Sequence, residues 1–217
     1  MSSRLAVPLV VSGVHVALAV AALLRGAGRP LNRLFAALAA VLAVWTFSVF
    51  QIRHAPDAAG GLLGQRLLNL TFGLTPAVYY HLVRVVTGTA EAGRRAVRLV
   101  YAGAALFTLI ALAALPLLVR EVVPTPRGWA PVTGPLGLAL FVFYLGVMAA
   151  TLGPLRARRW RALLLASAVM LAAPLANFLG FILLRAGLIT VDLPPLLLPA
   201  SVVFVALVWF ATRTREP

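Results

Sequence analysis

Seven apolar runs dominate the chain, and short arginine-bearing gaps divide them. They lie near 5–24, 33–53, 63–86, 97–119, 134–154, 160–184 and 193–212. A hydrocarbon layer about 30 Å thick needs about 20 apolar residues at about 1.5 Å of rise each, so every run is long enough to cross one. Backbone polar groups in hydrocarbon must bond within their own segment, and the runs are too long for barrel strands. The expected fold is therefore all-α: a polytopic membrane protein forming a single seven-transmembrane-helix bundle over residues 1–217. The third run is the least pure, because it carries Asn69, Thr71, Thr75, His81 and Arg84.

Composition agrees with lipid as the solvent. The chain is 62% hydrophobic and 11% charged, against roughly a quarter charged in a soluble domain. A net charge of +14 would suit nucleic acid if the cations formed one face of a water-soluble body. Here they sit between apolar runs, so nucleic acid is not an expected partner. All 19 basic residues are arginine. The lack of lysine removes the amine that a retinal Schiff base requires. The lack of cysteine removes disulfides, thiolate metal sites and thiol catalysis.

Arginine placement sets the expected orientation. Thirteen fall in the odd-numbered gaps and the tail: Arg25, Arg29, Arg33, Arg84, Arg94, Arg95, Arg98, Arg156, Arg158, Arg159, Arg161, Arg213 and Arg215. Six fall at the N-terminus and in the even gaps: Arg4, Arg53, Arg66, Arg120, Arg127 and Arg185. Short loops rich in basic residues stay in the cytoplasm, so the N-terminus is expected outside and the C-terminus inside, as in a receptor. The stretch "GPLRARRWRALLL" at 153–165 is then an inner loop with Trp160 as interfacial anchor. The first run also has features of a cleaved signal peptide, with Arg4 ahead of it and "ALA" at 17–19. Its removal would leave Arg25, Arg29 and Arg33 outside, against the charge rule.

No Asp or Glu falls within a run. Ion-coupled carriers usually keep an acid or a histidine relay at membrane depth, and His15 is the one central titratable group. Bis-histidine haem needs two histidines at one depth; along their helices His15 and His81 differ by roughly 10 Å. There is no Gly-rich phosphate loop, no paired carboxylates and no Ser–His pair at matching depth. Neither an enzyme nor a cofactor nor a metal site is expected.

What remains is a polar set. Ser12 and His15 lie on the first run, Ser48 and Gln51 on the second, Asn69, Thr71 and Thr75 on the third, and Asn177 on the sixth. Thr75-Pro76 and Pro174-x-x-Asn177 place prolines beside them, and a proline frees a carbonyl one turn back and kinks its helix. The ligand-binding candidates for one outward-facing pocket are His15, Ser48, Asn69, Thr71, Thr75 and Asn177. Trp129, in the outer loop "REVVPTPRGWAPVTG" (120–134), is the candidate lid over its mouth. The plainer alternative is interhelical hydrogen bonding for the polar groups and interface anchoring for the tryptophan. Gly13/Ala17, Gly73/Ala77 and Gly146/Ala150 read as close helix packing.

Three blocks carry a family resemblance. They are "NRLFAALAAVLAVWTFSVF" (32–50), "LLNLTFGLTPAVYYHLVRVVTG" (67–88) and "APLANFLGFILLRAGLITVDLPPLLLPASVVFVALVWFATR" (173–213). In order and spacing they resemble the N-terminal seven-transmembrane sensor region of bacterial histidine kinases. The resemblance implies a sensory input module in the bacterial plasma membrane, passing a signal along its last helix to a cytoplasmic kinase or other output protein. On that helix Asp192 is expected to cap the outer end, Pro199 to flex the first part, and Arg213 to mark the exit to the cytoplasm. The sequence ends at "TRTREP", so either a stand-alone sensor or an input domain without its output half is expected, with no kinase activity in the chain. A small-solute carrier and a ligand-free scaffold are the alternatives. Expected partners are the lipid bilayer, the output protein and, left open, a second copy.

Overall fold

The computed structural model describes residues 3–125, 128–157, 160–185 and 197–213; along 3–6, 177–185, 197–199 and 212–213, and at 157 and 173, it describes the backbone alone. The helices are α1 (Ser3–Leu24), α2 (Pro30–His54), α3 (Ala58–Val86), α4 (Arg94–Ala113), α5 (Gly137–Ala150), α6 (Leu152–Ala157), α7 (Arg161–Arg185) and α8 (Leu197–Arg213). A 3-10 turn (Leu115–Leu117) and two strands, β1 (Val119–Thr125) and β2 (Gly128–Thr133), lie between α4 and α5. The chain divides into two compact units, Met1–Val147 and Met148–Pro217.

The described residues are mostly helical, and the helices follow the apolar runs. Among the described residues, four stretches are long and apolar enough to cross a membrane: Val7–Leu24, Pro30–His54, Arg94–Ala113 and Gly137–Arg156. Their apolar side chains do not all turn inward. Val10 on α1, Leu109 on α4 and Val142 on α5 are each at least 60% exposed, which a helix in water avoids.

In the first unit α2 packs against α1 and α3, and α3 packs also against α4 and the strands. Local chemistry sets the boundaries. Pro30 opens α2 at a position where its missing N–H costs nothing. The Asp57 carboxylate accepts from the Gly60 N–H at 2.8 Å and caps α3. At the other end of α3, Gly88 takes φ +66. The Thr89 N–H then reaches the Arg84 carbonyl (2.9 Å) and the Gly88 N–H that of Val85 (3.1 Å), closing the helix with a Schellman motif.

Two departures from the sequence expectation occur between α4 and α5. The fourth helix ends at Ala113 rather than near 119, because Pro116 has no N–H to continue the ladder. In place of a loop, β1 and β2 then pair antiparallel, from Val119↔Thr133 to Thr125↔Gly128, with a bulge between Val119 and Glu121. Leu115, Leu118, Val119 and Val122 bury themselves with Ala111 of α4 and Leu140 of α5. The β-branched residues of β1 thus gain an apolar core that a solvated loop would lack.

In the second unit α7 packs against α8 and α6. The fifth run breaks at Thr151, three residues before Pro154. The Thr151 hydroxyl donates to the Met148 carbonyl at 2.6 Å and meets the Ser167 hydroxyl at 3.2 Å. Trp160, expected as an interfacial anchor, is buried, and its backbone N–H donates to Leu155.

Candidate functional site

The uncharged polar side chains in the middle of α3 point inward. Gln65, Asn69, Thr71 and Thr75 are all buried, because α3 is enclosed by α2, α4 and the hairpin and has little outward face to place them on. Asn69, Thr71 and Thr75 each bond within their own helix. Asn69 Nδ2 donates to the Gln65 carbonyl (2.8 Å), Thr71 Oγ1 to Leu68 (2.9 Å), and Thr75 Oγ1 to Thr71 (2.8 Å). On α2, Ser48 Oγ donates to Val44 at 2.6 Å. Among the described residues no side chain-to-side chain hydrogen bond joins Ser48, Asn69, Thr71 or Thr75 to one another; the one link in the set is from the Thr75 hydroxyl to the Thr71 backbone carbonyl. With their protons committed to the backbone, these hydroxyls keep lone pairs alone for a ligand, so the set can accept hydrogen bonds from an N–H or O–H group.

His15 is fully buried on α1, three residues from Ser12 and on the same face. Ser12 Oγ donates across to the Ala43 carbonyl on α2 at 2.9 Å. That carbonyl also takes the Thr46 hydroxyl at 3.0 Å. Asn177 falls within α7, but its side chain lies outside the described residues, as do Asp192 and the side chains of Pro199 and Arg213.

Trp129 is not the free loop residue expected of a lid. It sits in β2 opposite Pro124, and its Nε1–H donates to the Ala55 carbonyl at 2.9 Å. Its ring lies against Gly61, where an added Cβ would fall 2.7 Å from the indole Cγ. Gly128, at φ +110, brings the hairpin tip onto the end of α2: an added Cβ would lie 2.6 Å from the Arg53 Cα. The hairpin is fastened over the α2–α3 corner. The close approaches are made at Gly61, Gly64, Gly103, Gly128, Gly134 and Gly137, whereas Gly13 and Gly146, expected at tight helix contacts, have no atom within 4 Å of an added Cβ. Aromatic and aliphatic side chains fill the spaces beside Gly61, Gly64 and Gly103, and backbone atoms crowd Gly128 and Gly134.

At the opposite end of α3 stands a cluster that sequence reasoning missed. Arg84 Nη2 and Nε both donate to the Tyr80 hydroxyl, at 2.7 and 3.1 Å. The guanidinium lies along Gly93, where an added Cβ would fall 3.0 Å from Nε. Nearby, His81 Nδ1 meets the Tyr101 hydroxyl at 3.3 Å, with the rings edge to face. The i, i+4 spacing of Tyr80 and Arg84 was a visible signal, since such pairs are neighbours on a helix.

Three further groups lie outside these two sets of contacts. Phe72 stacks on Tyr144 at 4.4 Å. His54 stacks on Phe50 at 4.2 Å with Nδ1 against the Phe50 carbonyl, leaving Nε2 without a partner. Thr108 Oγ1 is also buried and unpartnered. Among the described residues no three His, Cys, Asp or Glu side chains gather as a metal ion would require. No family model matches the chain, and neither a curated protein nor a solved structure matches it.

Proposed function

We propose that the chain is a membrane-embedded sensory module of seven passes, N-terminus outside and C-terminus inside, that acts on a cytoplasmic output partner in the bacterial plasma membrane. The observation that carries the reading is the division of charge between the two ends of α1–α4. Arg25, Arg29, Arg33, Arg84, Arg94, Arg95 and Arg98 belong to one end, where Glu91 is the only acid. Arg53, Arg66 and Arg120 share the other with Asp57 and Glu121. Basic short loops stay on the cytoplasmic side. The opposite end, under the hairpin, is then the outer face, and the buried polar set of α2 and α3 lies beneath that cover. The resemblance of the 32–50, 67–88 and 173–213 blocks to histidine-kinase input regions supplies the signalling role. A stimulus would favour one of two bundle arrangements and so alter how the last helix meets the cytoplasm.

One observation favours the plainer reading of a ligand-free scaffold: the hydroxyls of Ser48, Thr71 and Thr75 are satisfied by their own helices. Reporter fusions after Arg25 and Arg159 should report cytoplasm, and one after Trp129 the outside. The reverse pattern removes the sensor reading. Affinity purification from the native membrane should recover a kinase or response regulator. If it does not, and His15→Ala or Thr75→Ala alters stability but no downstream response, the scaffold reading stands.

A further inference from the structure

The face of α4 that turns away from α3 changes chemistry along its length. Its first turns present Arg94, Arg95 and Arg98, all exposed. The same face continues as Leu99, Ala102, Ala105, Leu106, Leu109 and Leu112, and these too are exposed, the four leucines by 52–65%. From Arg95 to Leu112 the helix rises about 26 Å, nearly the depth of a bilayer's hydrocarbon. Cations lead straight into a greasy stripe of membrane length.

Glu91 is the one acid at this end of α1–α4, and among the described residues it forms no ion pair with these cations. The first turn of α4 holds no acid, and no side chain caps Gly93. Among the described residues no ion pair neutralises Arg94, Arg95 or Arg98. Positive side chains at this end also oppose the helix dipole, which favours anions there. Beside them Arg84 is held in place by Tyr80 and packed along Gly93, a guanidinium fixed in advance rather than a mobile one. A local rule broken in this way is expected where something outside the chain supplies the compensation.

We propose that Arg94, Arg95 and Arg98, with Arg84 beside them, bind the phosphate headgroup of an anionic phospholipid whose acyl chains lie along the exposed leucines of α4. The inference rests on the reading above that α4 crosses the membrane. Free phosphate or nucleic acid would use the arginines alone and leave the apolar continuation unexplained. A phospholipid uses both, in this order and at this length. Guanidinium groups also match phosphate oxygens bidentately.

The test is lipid retention by the purified full chain in native mass spectrometry, with phosphatidylglycerol against phosphatidylcholine as probes. Wild type should keep phosphatidylglycerol about tenfold better, a cautious figure for three arginines near an anionic headgroup layer. R94Q/R95Q/R98Q should cut that preference to about twofold or less, while R66Q/R120Q, at the other end, should leave it unchanged. Inorganic phosphate in excess should not displace the bound lipid. Equal retention of the two lipids by wild type overturns the proposal, and that comparison needs no variant that must fold. Displacement by inorganic phosphate, or equal loss in both variants, overturns it as well. The orientation fusions separate the two ideas. Lipid preference with an outward Arg94 keeps the lipid site and removes the sensor reading, whereas indifference to lipid with an inward Arg94 removes the lipid site alone.

Discussion

The indole Nε1 of Trp129 donates to the backbone carbonyl of Ala55 across 2.9 Å, joining residues 74 positions apart. Ala55 closes α2, and Asp57, two residues on, caps α3. The corner between the two helices is therefore held from both sides, by the hairpin above and by its own capping carboxylate.

Trp129→Phe should keep most of the ring packing and lose the hydrogen bond, costing about 1 kcal/mol. Trp129→Ala should cost more, about 2–3 kcal/mol, because the half-buried ring over Gly61 is lost too. Unfolding of the two variants in mild detergent checks the order. Equal stability of Trp129→Ala and wild type would mean that the hairpin does not fasten the corner.

The glycines separate into two classes. At Gly64 a Cβ would fall 2.7 Å from Ile52 Cγ1 and 3.0 Å from the Ile52 backbone nitrogen. Gly64→Ala should therefore destabilise the α2–α3 pair by about 1–3 kcal/mol. At Gly13 the space is open, and Gly13→Ala should be neutral or stabilising by up to about 1 kcal/mol, through the better helix propensity of alanine. Thermal midpoints of the two variants should move in opposite directions or differ by several degrees.

Two buried serines should behave differently. Ser12 bonds to another helix and Ser48 to its own. Ser12→Ala should cost about 0.6–2 kcal/mol, the range for interhelical hydrogen bonds in bundles of this kind. Ser48→Ala should fall within about 0.5 kcal/mol of wild type, since such back-bonding to one's own helix adds little. A larger loss at Ser48 would assign its hydroxyl a partner beyond Val44.

Asp57→Ala removes the one carboxylate that satisfies an orphan N–H of α3. A loss of about 1 kcal/mol is expected, with Asp57→Asn retaining most of it because the amide oxygen can still accept. Hydrogen exchange at Gly60 is the direct readout. It should quicken in the alanine variant and stay slow in the asparagine variant.

Periodicity and composition were enough to locate the helices, because apolar runs and prolines act over a few residues. The run at 33–53 became Pro30–His54 and the run at 160–184 became Arg161–Arg185. The end of α4 was less legible, since Pro116 lies inside an otherwise unbroken apolar stretch. Of the candidate pocket, the sequence showed which side chains were polar. Where their protons go was hidden, because a threonine hydroxyl can serve its own helix or a neighbour's from the same position.

The sequence by itself determined that this chain would be a set of long apolar helices with its cations gathered at their ends, since solvent preference and backbone bonding are settled segment by segment. Only the tertiary structure decided that Val119–Thr125 pairs with Gly128–Thr133, that Trp129 reaches Ala55, and that Gly61 and Gly64 are close contacts. Each of these depends on a partner dozens of residues away or on a second backbone at van der Waals distance, and neither is encoded in local spacing.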